Sequence, residues 1–515
     1  MKTTRTIFLI LMGLSLNQVL VGQFVTDHNA IFQGDLAQPQ KGVLTTDPNF
    51  HTPLLRLTDA RSSEIHGLAP DYSKRLAWNC DESFLLLRSG WGDAYLFNGG
   101  NYQFVKALNG VAGDDVFWHP SDPQKLYYSI DSALYSYNVV TDLVTEVHLF
   151  TPYNFANTCG EGNLSNDGRY YALAERYYNY TTGEVTYHDL TVYDIREDKI
   201  VSTVNLPQEQ LSDFDWVSIS PLGNYVVVDY ASWETGRYHG MEVYDRNFNF
   251  IWQKGLGPGH SDMGLDASGK EVLIIDIYNE TDNLTHICKF DLATGDSTSL
   301  LTVSPLFDLH ESCRSMLRPG WVLVSTFDYV GRLSDSKEDW LPFEDEVFAL
   351  KMDGSGSVER YAHHHSREYS TYTPNRDSGA VYFAEPRATM SKSGNRILFA
   401  SNWRLTMNED FSVDCYLVDL RNMITGYSDV LTDKSKNVIR IYPNPIGDYL
   451  NIHYENGPLD GYIGIFDPIG KEVKSFPLNK DQAIFDLTDL QAGIYYFKIF
   501  DKNGANPKMG KIVKL

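Results

Sequence analysis

Between residues 76 and 423 one pattern recurs seven times: an apolar or aromatic strand, a polar turn, then a second apolar strand. Val217-Ser-Ile-Ser-Pro-Leu-Gly-Asn-Tyr-Val-Val-Val228, Gly264-Leu-Asp-Ala-Ser-Gly-Lys-Glu-Val-Leu-Ile274 and Thr389-Met-Ser-Lys-Ser-Gly-Asn-Arg-Ile-Leu-Phe399 are three copies. The others span Leu76–Leu87, Val116–Tyr128, Asn163–Leu173 and Ser315–Val324. Most are followed by a third strand such as Met241-Glu-Val-Tyr-Asp245, and a fourth appears in Lys199-Ile-Val-Ser-Thr-Val204. Four short strands per unit, spaced by roughly 40 to 50 residues, are the signature of propeller blades. One blade cannot bury both faces of its sheet, so neighbours stack radially and the ring closes. The chain is therefore expected to be all-β, with a seven-bladed β-propeller over residues 23–423. Pro53-Leu-Leu-Arg-Leu-Thr58 precedes the first copy and is expected to supply the outer strand of the last blade.

Residues 438–515 read differently. Val438-Ile-Arg-Ile-Tyr-Pro-Asn-Pro-Ile-Gly-Asp448, Ile463-Gly-Ile-Phe-Asp-Pro-Ile-Gly-Lys471 and Leu487-Thr-Asp-Leu-Gln-Ala-Gly-Ile-Tyr-Tyr-Phe-Lys498 are short strands closed by turns, and Lys511-Ile-Val-Lys-Leu515 ends the chain. Such repetition fits a small immunoglobulin-like β-sandwich. The order of motifs resembles the type A C-terminal sorting domain of the type IX secretion system of Bacteroidetes. That resemblance implies export across the outer membrane, release or attachment at the cell surface, and the secretion machinery as a partner. At the other end Lys2 and Arg5 precede the apolar run Ile7–Leu14, which reads as a signal peptide over residues 1–22. No other apolar run approaches membrane length, so no transmembrane span is expected in the mature chain. Residues 424–437 read as a linker.

The chain carries 67 acidic against 43 basic residues, a net charge of −24, which argues against nucleic acid as a partner. Its five cysteines are scattered without a Cys-x-x-Cys, so buried thiols are expected rather than a disulfide framework.

In a propeller the inner strand of each blade begins near one mouth of the central channel. With the seven units aligned on Glu82, Asp122, Gly168, Gly223, Gly269, Gly320 and Gly394, the residues seven before the turn are Arg75, Asp115, Glu161, Trp216, Asp262, Cys313 and Arg387. Nine before stand Ser73, Gly113, Cys159, Phe214, His260, Glu311 and Glu385, with Asp114, Asp213, Asp215 and His310 beside them. Positions two apart on a strand face the same way, so these sets are expected to project together.

Three readings of that ring stay open. It is a solvated charged rim; or a Ca²⁺ or Mn²⁺ site of Asp262, Glu311 and Glu385 with His260 or His310; or a catalytic pocket for a uronic-acid polymer. In the last, Arg387 or Arg75 neutralises the substrate carboxylate and His260 or a nearby tyrosine removes the C5 proton. Glu161, Trp216, His310 and His364 are the substrate-contacting candidates. His364 belongs to His363-His-His-Ser366, of which only His363 and His365 can share a side.

Gly259-His-Ser-Asp-Met-Gly-Leu-Asp-Ala-Ser-Gly269 and Glu385-Pro-Arg-Ala-Thr-Met-Ser-Lys-Ser-Gly394 resemble the TolB-type and oligogalacturonate-lyase-type propellers. Where the lyases carry His-Pro-His, with both histidines as metal ligands, this chain has Glu385-Pro386-Arg387. The family's Mn²⁺ site therefore does not transfer, and only His260 matches as a histidine. The expected function is action on extracellular polysaccharide, by lyase-type β-elimination if it is an enzyme. The competing expectation is a non-catalytic propeller that binds protein or glycan at the cell surface, since the fold hosts both.

Overall fold

The computed structural model describes residues 24–421, 423 and 439–514, apart from 61–66, 90–91, 114, 208–213, 258, 329–335, 368–383, 405–412, 443–448, 455–460, 468–470, 479–481, 492 and 502–507. The signal-peptide segment, the linker and the Pro-Asn-Pro turn lie outside these residues. The chain divides into two compact units, Phe24–Arg421 and the segment from Asn422 onward.

The first unit is a β-propeller: among the described residues it holds seven antiparallel sheets, six of four strands and one of five. We number these blades in chain order. Blade three, for example, runs Phe155–Asn157, Tyr170–Tyr178, Val185–Asp194, Lys199–Asn205 from the inside outward. Burial falls along that direction: the inner strand of blade two, Val116–Trp118, is wholly buried, while its outer strand, Val144–Leu149, is largely exposed. The apolar faces of neighbouring blades pack on each other, as where Trp216, Val227 and Val243 of blade four meet Met263, Leu273 and Ile275 of blade five.

Blade seven is composite. Its strands Thr389–Met390, Arg396–Ser401 and Asp414–Asp419 are completed by Pro53–Arg56, which pairs antiparallel with the last through Leu54↔Val418 and Leu55↔Leu417. The expected closing strand is thus in place, and Leu44–Thr46 adds one more outside it. Blades seven and one are also joined at the channel, where Thr389 Oγ1 donates to the Arg75 carbonyl at 2.8 Å. At the turns, the Glu82 carboxylate accepts from the Ser393 N–H at 2.9 Å and from Arg396.

The turn position aligned in the sequence has positive φ at Glu82, Gly168, Gly223, Gly269, Gly320 and Gly394. Gly168 shows why glycine suits it: at φ 66° a Cβ would stand 2.5 Å from Pro120 of the preceding blade. All five cysteines are unpaired thiols, as the spacing suggests.

Among its described residues the C-terminal unit has seven strands in two sheets. One sheet pairs Ile439–Tyr442, Tyr449–Tyr454 and Gln482–Asp486; the other orders Glu472–Leu478, Gly461–Phe466, Gly493–Asp501 and Lys508–Lys514. Leu450, Ile452 and Phe485 of the first share a buried core with Ile463, Ile465, Phe497, Ile499 and Ile512 of the second. This is the expected sandwich.

Candidate functional site at the channel mouth

His260 stands immediately before the inner strand of blade five, Ser261–Leu265, and the inner strand of blade six, Phe307–Ser312, carries Asp308, His310 and Glu311. Alternation puts Asp308 and His310 on one side of that strand and Glu311 on the other. Packing of the two blades then brings the His260 and His310 rings together, with centroids 4.1 Å apart and planes 35° from parallel. Asp308 Oδ1 lies 3.3 Å from His260 Nδ1. Asp276, on the second strand of blade five, donates its N–H to the His260 carbonyl at 3.4 Å.

The surroundings sort the two histidines into opposite states. Burial works to lower the His260 pKa, but the hydrogen bond to Asp308 and the charges of Asp308, Asp276 and Glu161 outweigh it and lift the value to about 9. His260 is therefore an imidazolium at neutral pH. His310 is 1% exposed, and burial, followed by the charges of His260, Arg387 and Lys74, drives its pKa well below the usual range. It is a neutral imidazole. Neither of its ring nitrogens makes a hydrogen bond among the described residues, and Nε2 stands 3.5 Å from Glu385 Oε2. Tyr72 meets its ring edge-on at 5.5 Å.

Carboxyl groups complete the mouth. Glu311 is fully buried, and burial, reinforced by the charges of Asp276 and Asp308, raises its pKa well above the usual carboxylate range. Neither of its oxygens finds a hydrogen-bond partner among the described residues, and the same is true of Asp276 Oδ1. Burial also lifts Asp276 to about 6 and Asp229 to about 7. Lys74 supplies countercharge: its Nζ sits 2.5 Å from Glu161 Oε2 and 4.3 Å from the Trp216 ring centroid. Although burial opposes ionisation, Lys74 holds Glu161 below its ordinary pKa. Buried polar atoms of this kind nearly always bind something, whether protein, water or ligand. The mouth thus presents a base, an acid and hydrogen-bonding carboxyls beneath the partly exposed His260, Asp308 and Glu161.

Several residues singled out from the sequence serve other ends. Asp262 is saturated: its oxygens accept from the Cys313 N–H at 2.7 Å, the Met263 N–H at 2.8 Å and the Arg314 guanidinium at 2.9 and 3.1 Å. No lone-pair direction is left for a metal. Asp115 holds the equivalent place in blade two and accepts from the Thr158 N–H at 2.7 Å, the Thr158 hydroxyl at 2.5 Å and the Tyr171 hydroxyl at 2.6 Å. These aspartates are latches that tie one blade to the next. Arg75 is likewise engaged, by Asp115 at 3.0 Å and the carbonyls of Gly160 and Gly162. It also borders a cleft at the turn end of the channel with Trp118, Asn166 and Lys392. Trp216 is buried under Lys74, and its ring faces a cation rather than solvent.

His364 is fully buried; its Nε2 contacts the Thr326 carbonyl at 2.8 Å and its Nδ1 accepts from the Ser366 N–H at 2.9 Å, so it packs the wall of blade six instead of lining the mouth. The three adjacent histidines form no exposed loop: His363 lies against Phe50 and His365 against Trp403. Arg387 and Glu385 are buried on the approach to blade seven, and both act electrostatically or by contact on His310. Among the described residues no three His, Cys, Asp or Glu side chains are grouped so as to hold a metal ion. Asp114 and Asp213 fall outside those residues.

Alignment of inner strands missed Lys74, Asp308, Asp229 and Asp276. The last two lie toward the ends of second strands, Tyr225–Asp229 and Glu271–Asn279, where an acidic residue among valines and isoleucines was the available signal.

Residues 440–514 match the secretion system C-terminal sorting domain. The chain therefore carries the tail of the type IX route, which interacts with the secretion machinery and takes its cargo through the outer membrane to a secreted or cell-surface location. No helix among the described residues is long and apolar enough to cross a membrane. No curated protein matches the chain. The solved structures that align with it include the β-propeller domain of Cps50 (Swd1) from Myceliophteria thermophila and a chain of the mitotic checkpoint complex. The first is 12% identical, covers 71% of this chain and 99% of its own, and has a TM-score of 0.41. For the second the values are 12%, 76%, 99% and 0.42.

Proposed function

We propose that the channel mouth takes an extracellular polysaccharide. The observation that carries this reading is the group of buried polar atoms without protein hydrogen bonds: both nitrogens of His310, both oxygens of Glu311 and Asp276 Oδ1. They offer donors and acceptors on both sides of the blade-six inner strand, which suits a ligand dense in hydroxyls that both donate and accept. The sorting tail delivers the propeller to the compartment where such polymers are met.

A second reading, β-elimination of a uronate polymer, is favoured by the protonation states. The neutral His310, not the protonated His260, is the base for the C5 proton. Arg387 and the His260 imidazolium neutralise the substrate carboxylate. As the C5–H bond breaks, its electrons form the C4=C5 double bond, the C4–O bond breaks, and the departing oxygen takes its proton from the His310 imidazolium just formed. This revises the expectation that His260 removes the proton.

The test is affinity electrophoresis of the mature protein in a panel of neutral and uronate-containing polysaccharides, with ultraviolet absorbance followed for the unsaturated product. Retardation lost in Lys74→Ala and His310→Ala is the expected result for binding. An absorbance rise lost in His310→Ala but only reduced in His260→Gln is expected for elimination. Free migration in every polysaccharide overturns both readings.

A further inference from the structure

Blade three departs from its neighbours. Its second and third strands, Tyr170–Tyr178 and Val185–Asp194, have 9 and 10 residues, against 6 and 6 in Lys125–Ile130 and Ala133–Asn138 of blade two. The additional length lies at the end where the inner strand begins, because Phe155 at the start of that strand pairs with Arg176. The hairpin therefore rises on the same side of the propeller as the channel mouth.

Its projecting part is aromatic. On one face Phe155, Tyr178 and Tyr180 form a continuous group, with ring centroids 5.6 Å apart for the first two and 5.1 Å for the last two. Tyr180, at the tip, is 68% exposed. The platform is held in place by Asn154, whose side chain donates to the Tyr178 carbonyl at 2.9 Å and accepts from its N–H at 2.7 Å. Arg176 lies across Phe155 at 5.3 Å, but its guanidinium is turned inward to Asn157 Oδ1 at 2.7 Å and Cys159 Sγ at 3.0 Å. The outer rings thus present an aromatic surface at whose edge the Tyr180 hydroxyl donates to Asp131 Oδ1 at 3.4 Å, and the chain beneath leads from Asn157 and Cys159 to Glu161 at the mouth.

We propose that the blade-three hairpin is a stacking subsite for the uncharged C–H faces of sugar rings in a polysaccharide whose chain continues into the mouth. The proposal rests on the reading of the mouth as a polysaccharide site. Exposed tyrosines carry large contact area at little entropic cost. An anionic partner lacks an outward-facing cation here, and the rings offer no aliphatic groove for a helix.

The experiment measures dissociation constants of the full mature chain for a polysaccharide that retards it and for the trisaccharide of the same repeat, which fills the mouth alone. Tyr180→Ala combined with Tyr178→Ala is expected to weaken the polymer about five- to tenfold and leave the trisaccharide unchanged. Tyr180→Phe keeps the ring and is expected to behave as the wild type. Because Tyr180 is exposed, its single alanine variant keeps the fold and guards against misfolding of the double variant. Equal polymer affinity in wild type and both alanine variants, with binding lost in Lys74→Ala, overturns the hairpin subsite and leaves the mouth standing. No polysaccharide binding by the wild type overturns the mouth and the subsite together.

Discussion

Asp308→Asn tests the charge assignment at the mouth most directly. In the folded chain His260 has its pKa raised to about 9 from the 6.5 of the free side chain. A group whose folded pKa is raised stabilises the fold fully below its unfolded pKa, and that contribution disappears as pH rises through the folded value. The difference corresponds to on the order of 3 kcal/mol at most, present below about pH 6.5 and gone above about pH 9. For a propeller of about 400 residues the unfolding entropy turns this into a change of roughly 3 to 4 °C in midpoint. With asparagine at 308 the hydrogen-bonded carboxylate and its charge are gone, burial reasserts itself, and the His260 pKa falls. The wild-type propeller transition should then lose about 3 °C relative to the variant between pH 6 and pH 9.5, by calorimetry on matched samples. The His260 Cε1–H resonance should titrate near pH 9 in the wild type and well below that in the variant. A wild-type resonance titrating near 6.5, or a gap between the two midpoints that does not change with pH, would refute the argument.

Three further outcomes follow from the same geometry. Glu311→Gln should gain stability over wild type by about 1.4 kcal/mol per pH unit just above pH 4.5, since the folded chain holds a proton that the unfolded chain has released. Flat difference curves from urea titrations at pH 5 and 6 would contradict the buried neutral carboxyl. Asp262→Ala leaves the Arg314 guanidinium buried without its carboxylate and should cost about 3 to 5 kcal/mol, read as a lowered propeller transition with an unchanged sandwich transition. Glu82→Gln should weaken the tie between blades seven and one and speed proteolysis of the first blade in native buffer, whereas wild-type resistance in the variant would show that the strand pairing of Pro53–Arg56 closes the ring alone.

The seven repeats, the closing strand and the terminal sandwich were legible in the sequence because each depends on local periodicity and turn chemistry. Gly223 and Gly269 mark their turns by the same positive φ that the alignment exploited. The site was legible only in outline. His260, Glu311 and Glu385 were picked out by their distance from the turn and His310 by its place beside them; the His260 and His310 rings lie 4.1 Å apart, and His310 Nε2 is 3.5 Å from Glu385. Asp262 and Asp115 occupy equally promising positions, yet they face backbone N–H groups of the next blade and latch it. A sequence position says which strand a carboxylate sits on but not whether a neighbouring blade offers it a donor.

By itself, then, the order of residues determined an exported all-β chain of repeated four-stranded sheets followed by a sorting sandwich. Those properties are encoded in short segments that act independently of the rest. Tertiary structure alone decided the states of the mouth. Two histidines with the same intrinsic pKa part company because one lies against Asp308 and the other is buried beside three cations. Burial and the charges that blades five and six bring together are properties of the closed ring, and no stretch of the chain carries them alone.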